Sequence, residues 1–181
     1  MISYRHLTAA QLMPSLFAHF DRYQEVKQCW RQENNTWILK DIAFIDDWEP
    51  KHIDVLVKCL SNTVRTGGAV IGAFEENQLV GFAALENELF GRNRRYLQLS
   101  SLHVTYPKRG GGIGRELFRR IGGEAERRGA DKLYISAHSA RETQAFYRAM
   151  GCKEAEEYNS RLAAAEPCDC QLEFQLKPSD R

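Results

Sequence analysis

A mixed α/β fold is the class this sequence predicts, and three stretches predict it. Residues 69–85 read as two apolar strands, Ala69 to Phe74 and Gln78 to Leu85, joined by the tight Glu75-Glu76-Asn77 turn. From Tyr96 the order becomes strand, glycine-rich turn, amphipathic helix, strand, helix, the pattern of a parallel crossover unit. The run Cys168 to Leu176 alternates Cys170, Leu172, Phe174 and Leu176, which adds a closing strand beside the one that follows Gly151. Together these give a central mixed β-sheet flanked by helices. At 181 residues and 43% hydrophobic content, the chain has the size of one domain spanning 1–181.

Taken in order, Ile2 to Arg5 reads as a short strand. Residues 8–22 then carry Leu12, Leu16, Phe17 and Phe20 at helical spacing. Glu25 to Trp48 is irregular or a hairpin, with two aromatic and β-branched runs flanking Glu33-Asn34-Asn35. Val55, Leu56, Cys59, Leu60 and Val64 mark a helix closed by Gly67-Gly68. In the strand Tyr96 to Val104, Leu97 and Leu99 share one parity while Leu102 and Val104 have the other. Either a β-bulge near Ser100-Ser101 absorbs the extra residue, freeing a backbone amide and carbonyl, or the strand becomes buried on both faces. Ile113, Leu117, Phe118, Ile121 and Ala125 form the inner face of the next helix. Lys132 to Ala137 is a strand, and Ser139-Ala-Arg-Glu142 has the form of a capping box opening a helix that ends at Gly151. Phe146 and Met150 on that helix are expected to face the core, with Tyr147 turned about 100 degrees away.

Composition narrows the function. Twenty-five basic residues against 24 acidic ones give a formal charge of +1, with no overall pull toward nucleic acid or membrane. No apolar run has the length of a membrane span and the start lacks a signal peptide, so the expected location is cytoplasmic, as a monomer or homodimer. Cys29, Cys59, Cys152, Cys168 and Cys170 are odd in number and lack metal-ligand spacing, so no metal is expected. The turn Arg109-Gly110-Gly111-Gly112-Ile113-Gly114 lies between a strand and a helix N-terminus, where backbone amides and the helix dipole favour phosphate oxygens. A Walker A loop would need Gly-Lys-Ser/Thr where Gly114-Arg115-Glu116 stand, and no Gly-x-Gly-x-x-Gly register fits. What remains is Arg-x-x-Gly-x-Gly after an irregular strand, beside Lys108 and Arg115.

The stretch Leu102-His-Val-Thr-Tyr-Pro-Lys-Arg-Gly-Gly-Gly-Ile-Gly, followed by Ala145-Phe-Tyr-Arg-Ala-Met-Gly151, resembles the GNAT superfamily of acetyl-CoA-dependent N-acetyltransferases. The resemblance covers about 68–153 and implies a sheet with a bulged, splayed pair of parallel strands. It implies that Arg109 to Gly114 with Arg115 hold the CoA pyrophosphate, and that Leu102, His103 and Val104 bond the pantetheine arm through their backbone. Ser139 and Tyr147 are also placed against the cofactor, with Tyr147 as proton donor to the departing thiolate. An amide of the bulge would polarise the thioester carbonyl. The implied reaction is direct attack by a primary amine in a ternary complex, the alternative being a non-catalytic acyl-CoA sensor or scaffold.

Attack requires a neutral amine and hence a proton acceptor. Some members of the resembling family carry a glutamate where this chain has Gln98, so Glu86, Glu88 and His138 stand as substitutes by location. The acceptor site is expected in 24–50, where Trp30, Trp37 and Trp48 lie with Asp46 and Asp47, a mixture suited to a cationic small-molecule or protein amine. A nucleic-acid role is opposed by the pairing of Glu116 with Arg120 and Glu124 with Arg128 at i,i+4 spacing along the arginine-rich helix.

Overall fold

The computed structural model describes residues 1–176 as a seven-stranded sheet with helices on both faces and a separate two-stranded hairpin. The strands are β1 (Ser3–His6), β2 (Gln24–Glu33), β3 (Thr36–Asp46), β4 (Ala69–Glu75), β5 (Gln78–Leu85), β6 (Tyr96–Val104), β7 (Lys132–Ala137), β8 (Lys153–Glu154) and β9 (Cys170–Gln175). The helices are α1 (Pro50–Arg65), α2 (Ile113–Arg127), α3 (Arg141–Met150) and the short α4 (Ser160–Ala165). Sheet order is β1-β4-β5-β6-β7-β9-β8. Only β6 and β7 run parallel, and every other neighbouring pair is antiparallel.

The near-continuous apolar runs of β4 and β5 follow from burial on both faces. Ile71, Ala73, Val80 and Ala83 pack beneath Ile113, Leu117, Phe118 and Ile121 of α2. Val70, Phe74, Phe82 and Ala84 face the opposite way, toward Leu60 of α1 and toward Leu7, Leu12 and Phe17. Burying side chains such as Leu117 and Ile121, both fully enclosed, stabilises the fold by roughly 1.5–3 kcal/mol each. Both hairpins turn on two residues in the left-handed region, Asn34-Asn35 and Glu76-Asn77, whose twist matches that of paired strands.

Two local readings are corrected. The helix expected over 8–22 is replaced by short 3-10 turns at Ala9–Gln11 and Pro14–Phe17, because Pro14 lacks an amide hydrogen and starts a new turn. The Ser139 capping box does not form. Trp30 N–H donates to the Ser139 carbonyl at 2.8 Å and Cys29 bridges Ala140, which keeps the chain extended to Ala140, the residue before α3.

β6 is bulged, the first of the two readings its parity left open. Leu85 faces Leu99 and Ala84 faces Ser101, so Ser100 is the additional residue. β6 and β7 pair only over Tyr96–Gln98 and Lys132–Tyr134, after which they diverge. The closed end of this V is held by Glu173 of β9, which accepts from Tyr96 at 2.6 Å, from Lys132 at 2.9 Å and from the Glu156 amide at 3.1 Å.

Candidate active site

A cleft of about 1100 Å³ opens where β6 and β7 part. One bank is the free edge of β6 from Leu99 to Val104, and the other is Ile135 to Ala137 of β7 continuing into His138. α3 contributes Glu142, Thr143, Phe146, Tyr147 and Met150, and the turn ahead of α2 contributes Arg109, Gly110, Gly112 and Gly114. Beyond Gln98 the edge of β6 that faces β7 has lost its strand partner, so its N–H and C=O groups are available to an extended ligand.

The glycine turn is shaped for an anion. Gly110 and Gly112 have φ of +79 and +84, and a Cβ at either would meet nothing within 4 Å. Their backbone is thus bare toward open space, directly ahead of the N-terminus of α2. Arg115 also lines the cleft. Gly111 does not line it, and its own Cβ position lies 3.5 Å from the Lys108 carbonyl. Arg109 is engaged with the loop itself, donating to the Val104 carbonyl at 3.0 Å and the Arg22 carbonyl at 3.1 Å. Burial, with Arg22 and Arg109 nearby, pushes the His103 imidazole down to about 3, so it stays neutral, packed on Phe82 and Trp48.

Leu102, Val104, Ile113, Tyr147 and His138 also lie along the cleft. The relative orientation on α3 differs from expectation, since Tyr147 is 7% exposed while Phe146 and Met150 are only partly buried. Phe118 and Phe146 close edge-on around the Tyr147 ring. Burial raises its phenol well above the ordinary tyrosine value, so it keeps its proton. Burial likewise pushes the Cys152 and Cys170 thiols up to about 12, which leaves neither as a thiolate nucleophile.

Several candidate residues fall elsewhere. Ser139 is 2% exposed, and its hydroxyl accepts from Arg31 at 2.6 Å, away from the cleft lining. Glu86 accepts from Ser100 at 2.6 Å and from Thr63 at 2.8 Å, so it braces the bulge from outside the cleft. Glu88 is exposed and not part of the lining. Trp30 and Trp37 pack against the core under α2 and α3, with Arg148 over the Trp30 ring. Trp48 stacks on Phe20, Asp46 pairs with Arg22 at 2.8 Å, and Asp47 accepts from the Trp48 amide. None of these five lines the cleft: the three indoles are held in packing elsewhere, Asp46 is paired with Arg22, and Asp47 is exposed and bonded to its own neighbour's amide.

Sequence reading missed Asp169, Ser136 and Glu166, all of which line the cleft. Pairing of Cys170 with Ala137 brings Asp169 beside the end of β7, a juxtaposition that local pattern does not encode. The Ser136 hydroxyl donates to Asp169 at 3.0 Å. Among the described residues no group of three His, Cys, Asp or Glu side chains is placed to hold a metal ion.

No curated protein sequence matches the chain. Among solved structures it is similar to nourseothricin acetyltransferase, with a TM-score of 0.72, 15% identity, and 97% of this chain and 99% of that one covered. A Bacillus anthracis protein assigned as a streptothricin acetyltransferase, in complex with acetyl coenzyme A, gives 0.73, 13%, 98% and 99%. The PaiA N-acetyltransferase of Thermoplasma acidophilum, in complex with coenzyme A, gives 0.59, 14%, 97% and 99%. At these identities the likeness is one of fold. The sequence itself matches the acetyltransferase (GNAT) domain over residues 22–161, from the strand that enters the hairpin to α4. With the bulged strand, the glycine turn and the parted β6–β7 pair inside that span, the chain belongs to the GNAT family of acetyltransferases.

Proposed function

We propose that this protein transfers the acetyl group of acetyl-CoA to a primary amine of a small cationic molecule, by direct attack in a ternary complex. The observation that carries this reading is the continuity of the cleft, which runs from the bare glycine turn along the free edge of β6 to Tyr147. Acetyl-CoA is a substrate here, and the residues fit it. Gly110, Gly112 and Gly114 offer backbone to a pyrophosphate, and Ser101 to Val104 offer strand-like hydrogen bonds to a pantetheine arm. Tyr147, kept protonated by burial, is suited to donate to the departing thiolate. An amide at the bulge is suited to the oxyanion that acyl transfer creates.

The acceptor class is supported by the lining around His138, where Glu142, Glu166 and Asp169 provide carboxylates for a cation. The nourseothricin acetyltransferase of the same fold points toward amine antibiotics as the first compounds to test. Nucleic acid is opposed by the ion pairing along α2, where Glu116 holds Arg119 and Arg120 and Glu124 holds Arg127 and Arg128. No helix among the described residues is long and apolar enough to cross a membrane.

Calorimetry with acetyl-CoA on wild type and Gly112→Glu tests the donor site, with circular dichroism to confirm that the variant folds. Binding by wild type that the variant loses supports the reading. Turnover is then measured by free-thiol release with streptothricin, kanamycin, spermidine and a lysine peptide. No binding by wild type, equal binding by both proteins, or no turnover of any amine overturns the proposal.

A further inference from the structure

The geometry points to Asp169 as the general base of this site, the group that takes the proton from the attacking amine. This assignment rests on the proposed acetyl transfer. Of the candidates visible in sequence, Glu86 and Glu88 lie outside the cleft lining. His138 lies inside it, but its Nδ1 accepts the Ala140 amide hydrogen at 3.0 Å. A neutral imidazole whose Nδ1 accepts must carry its proton on Nε2, so His138 presents a donor to the cleft.

Asp169 is placed by a one-way chain of hydrogen bonds. The Asn159 amide, which can only donate, donates to the Tyr134 phenol oxygen at 2.9 Å. The Tyr134 hydroxyl then donates to Gln171 Oε1 at 2.6 Å, and Gln171 Nε2 donates to Ser136 Oγ at 3.0 Å. Ser136 has one proton, and it donates that to Asp169 Oδ2 at 3.0 Å. Every donor in the series points toward the carboxylate, and each bond polarises the next. Oδ2 is therefore fixed, while Oδ1 accepts no hydrogen bond among the described residues and belongs to a side chain that lines the cleft.

Burial raises the Asp169 carboxyl above the ordinary aspartate value, with the Ser136 hydrogen bond opposing that rise. Glu166 raises it further and His138 lowers it. Tyr147 of α3 and Cys170 of β9 complete the titratable groups around it. The result is a carboxylate more basic than an exposed one.

In the step assigned to it, an N–H bond of the substrate ammonium breaks and its proton forms an O–H bond at Asp169 Oδ1. The freed nitrogen lone pair forms the C–N bond to the thioester carbonyl carbon, and the C–S bond breaks. The departing sulfur takes the Tyr147 proton, and the second proton lost by nitrogen returns through solvent to the tyrosinate. Asp169 releases its own proton to solvent, so the net reaction liberates one proton per acetylated ammonium.

The test uses whichever panel amine wild type acetylates fastest. Asp169→Asn is expected to bind acetyl-CoA as wild type does and to lose about 10²- to 10⁴-fold in kcat/KM at pH 7. Its kcat/KM should rise about tenfold per pH unit toward the amine pKa, because solvent then supplies the neutral amine. Ser136→Ala removes the hydrogen bond that lowers the carboxyl pKa, so the acidic limb of the kcat/KM profile should move to higher pH, by roughly one unit or less. Asp169→Asn within about threefold of wild type, with the wild-type pH profile, overturns the assignment. Should Asp169→Asn fail to fold, an unmoved acidic limb in Ser136→Ala overturns it instead. Either result leaves acetyl-CoA binding and turnover by wild type intact, so the failure is separable from that of the proposed function.

Discussion

Tyr147 shows how burial and protonation act together at one residue. Its ring is enclosed by Phe118 and Phe146, and with water excluded the phenolate is the costlier form, which suits the hydroxyl to the donor role proposed for it. Tyr147→Phe keeps the packing and removes the proton. Its kcat is expected to fall about 10²-fold while the Kd for acetyl-CoA stays within about threefold, read by steady-state kinetics and calorimetry. A kcat within a factor of two of wild type would place the proton donor elsewhere. Tyr147 was legible from its place beside Phe146 in a motif. Asp169 was not, since alone between Cys168 and Cys170 it acquires neighbours only through the pairing of β9 with β7. The tryptophans misled for the opposite reason, because an indole near acidic residues looks the same in sequence whether it faces solvent or core.

At the scale of elements, parity and turn chemistry carried most of the fold. The opposed parities of Leu97–Leu99 and Leu102–Val104 narrowed β6 to a bulge or burial on both faces, and Asn34-Asn35 marked the turn of the β2–β3 hairpin where the segment could also have been irregular. The helix over 8–22 failed because spacing of apolar residues ignores what Pro14 does to the amide series. The clamp at the closed end of the V was not legible at all, since it joins β6, β7, the chain after β8, and β9. Its Lys132 and Glu173 side chains are 8% and 1% exposed. Lys132→Met removes the nearer, buried cation and leaves that carboxylate only the exposed Lys153 at 3.5 Å, and should cost about 3 kcal/mol in urea unfolding, the low end for breaking a buried pair. Burial alone would raise the Glu173 carboxyl, but hydrogen bonds from Tyr96, Lys132 and the Glu156 amide hold it below its ordinary 4.5. A depressed folded value contributes stability that is present above the unfolded value and lost as pH falls through the folded one. Glu173→Gln should therefore show a shallower loss of stability than wild type as pH falls from about 5 to 3, with equal slopes sinking the argument.

For the whole molecule, the sheet is covered on both faces while the cleft is left open by a deliberate lack of pairing. A ligand that bonds those free edges binds the native state and not the unfolded chain. Acetyl-CoA at a hundredfold excess over its Kd should add about 2.7 kcal/mol, which for a chain of this length is a rise in Tm of about 5–10 °C. Gly112→Glu should show no such rise in the same thermal melt.

The stretch from Asp21 to Trp30 is fastened to both banks of that cleft. Tyr106 N–H donates to the Asp21 carbonyl at 2.8 Å and the Asp21 amide donates to Thr105 at 2.9 Å, while Trp30 is bonded to Ser139 at the entry to α3. The width of the opening is thus gauged by a length of main chain acting as a ruler. Exchanging cleft-facing side chains on either bank would leave these main-chain ties, and with them the spacing of the two banks, in place.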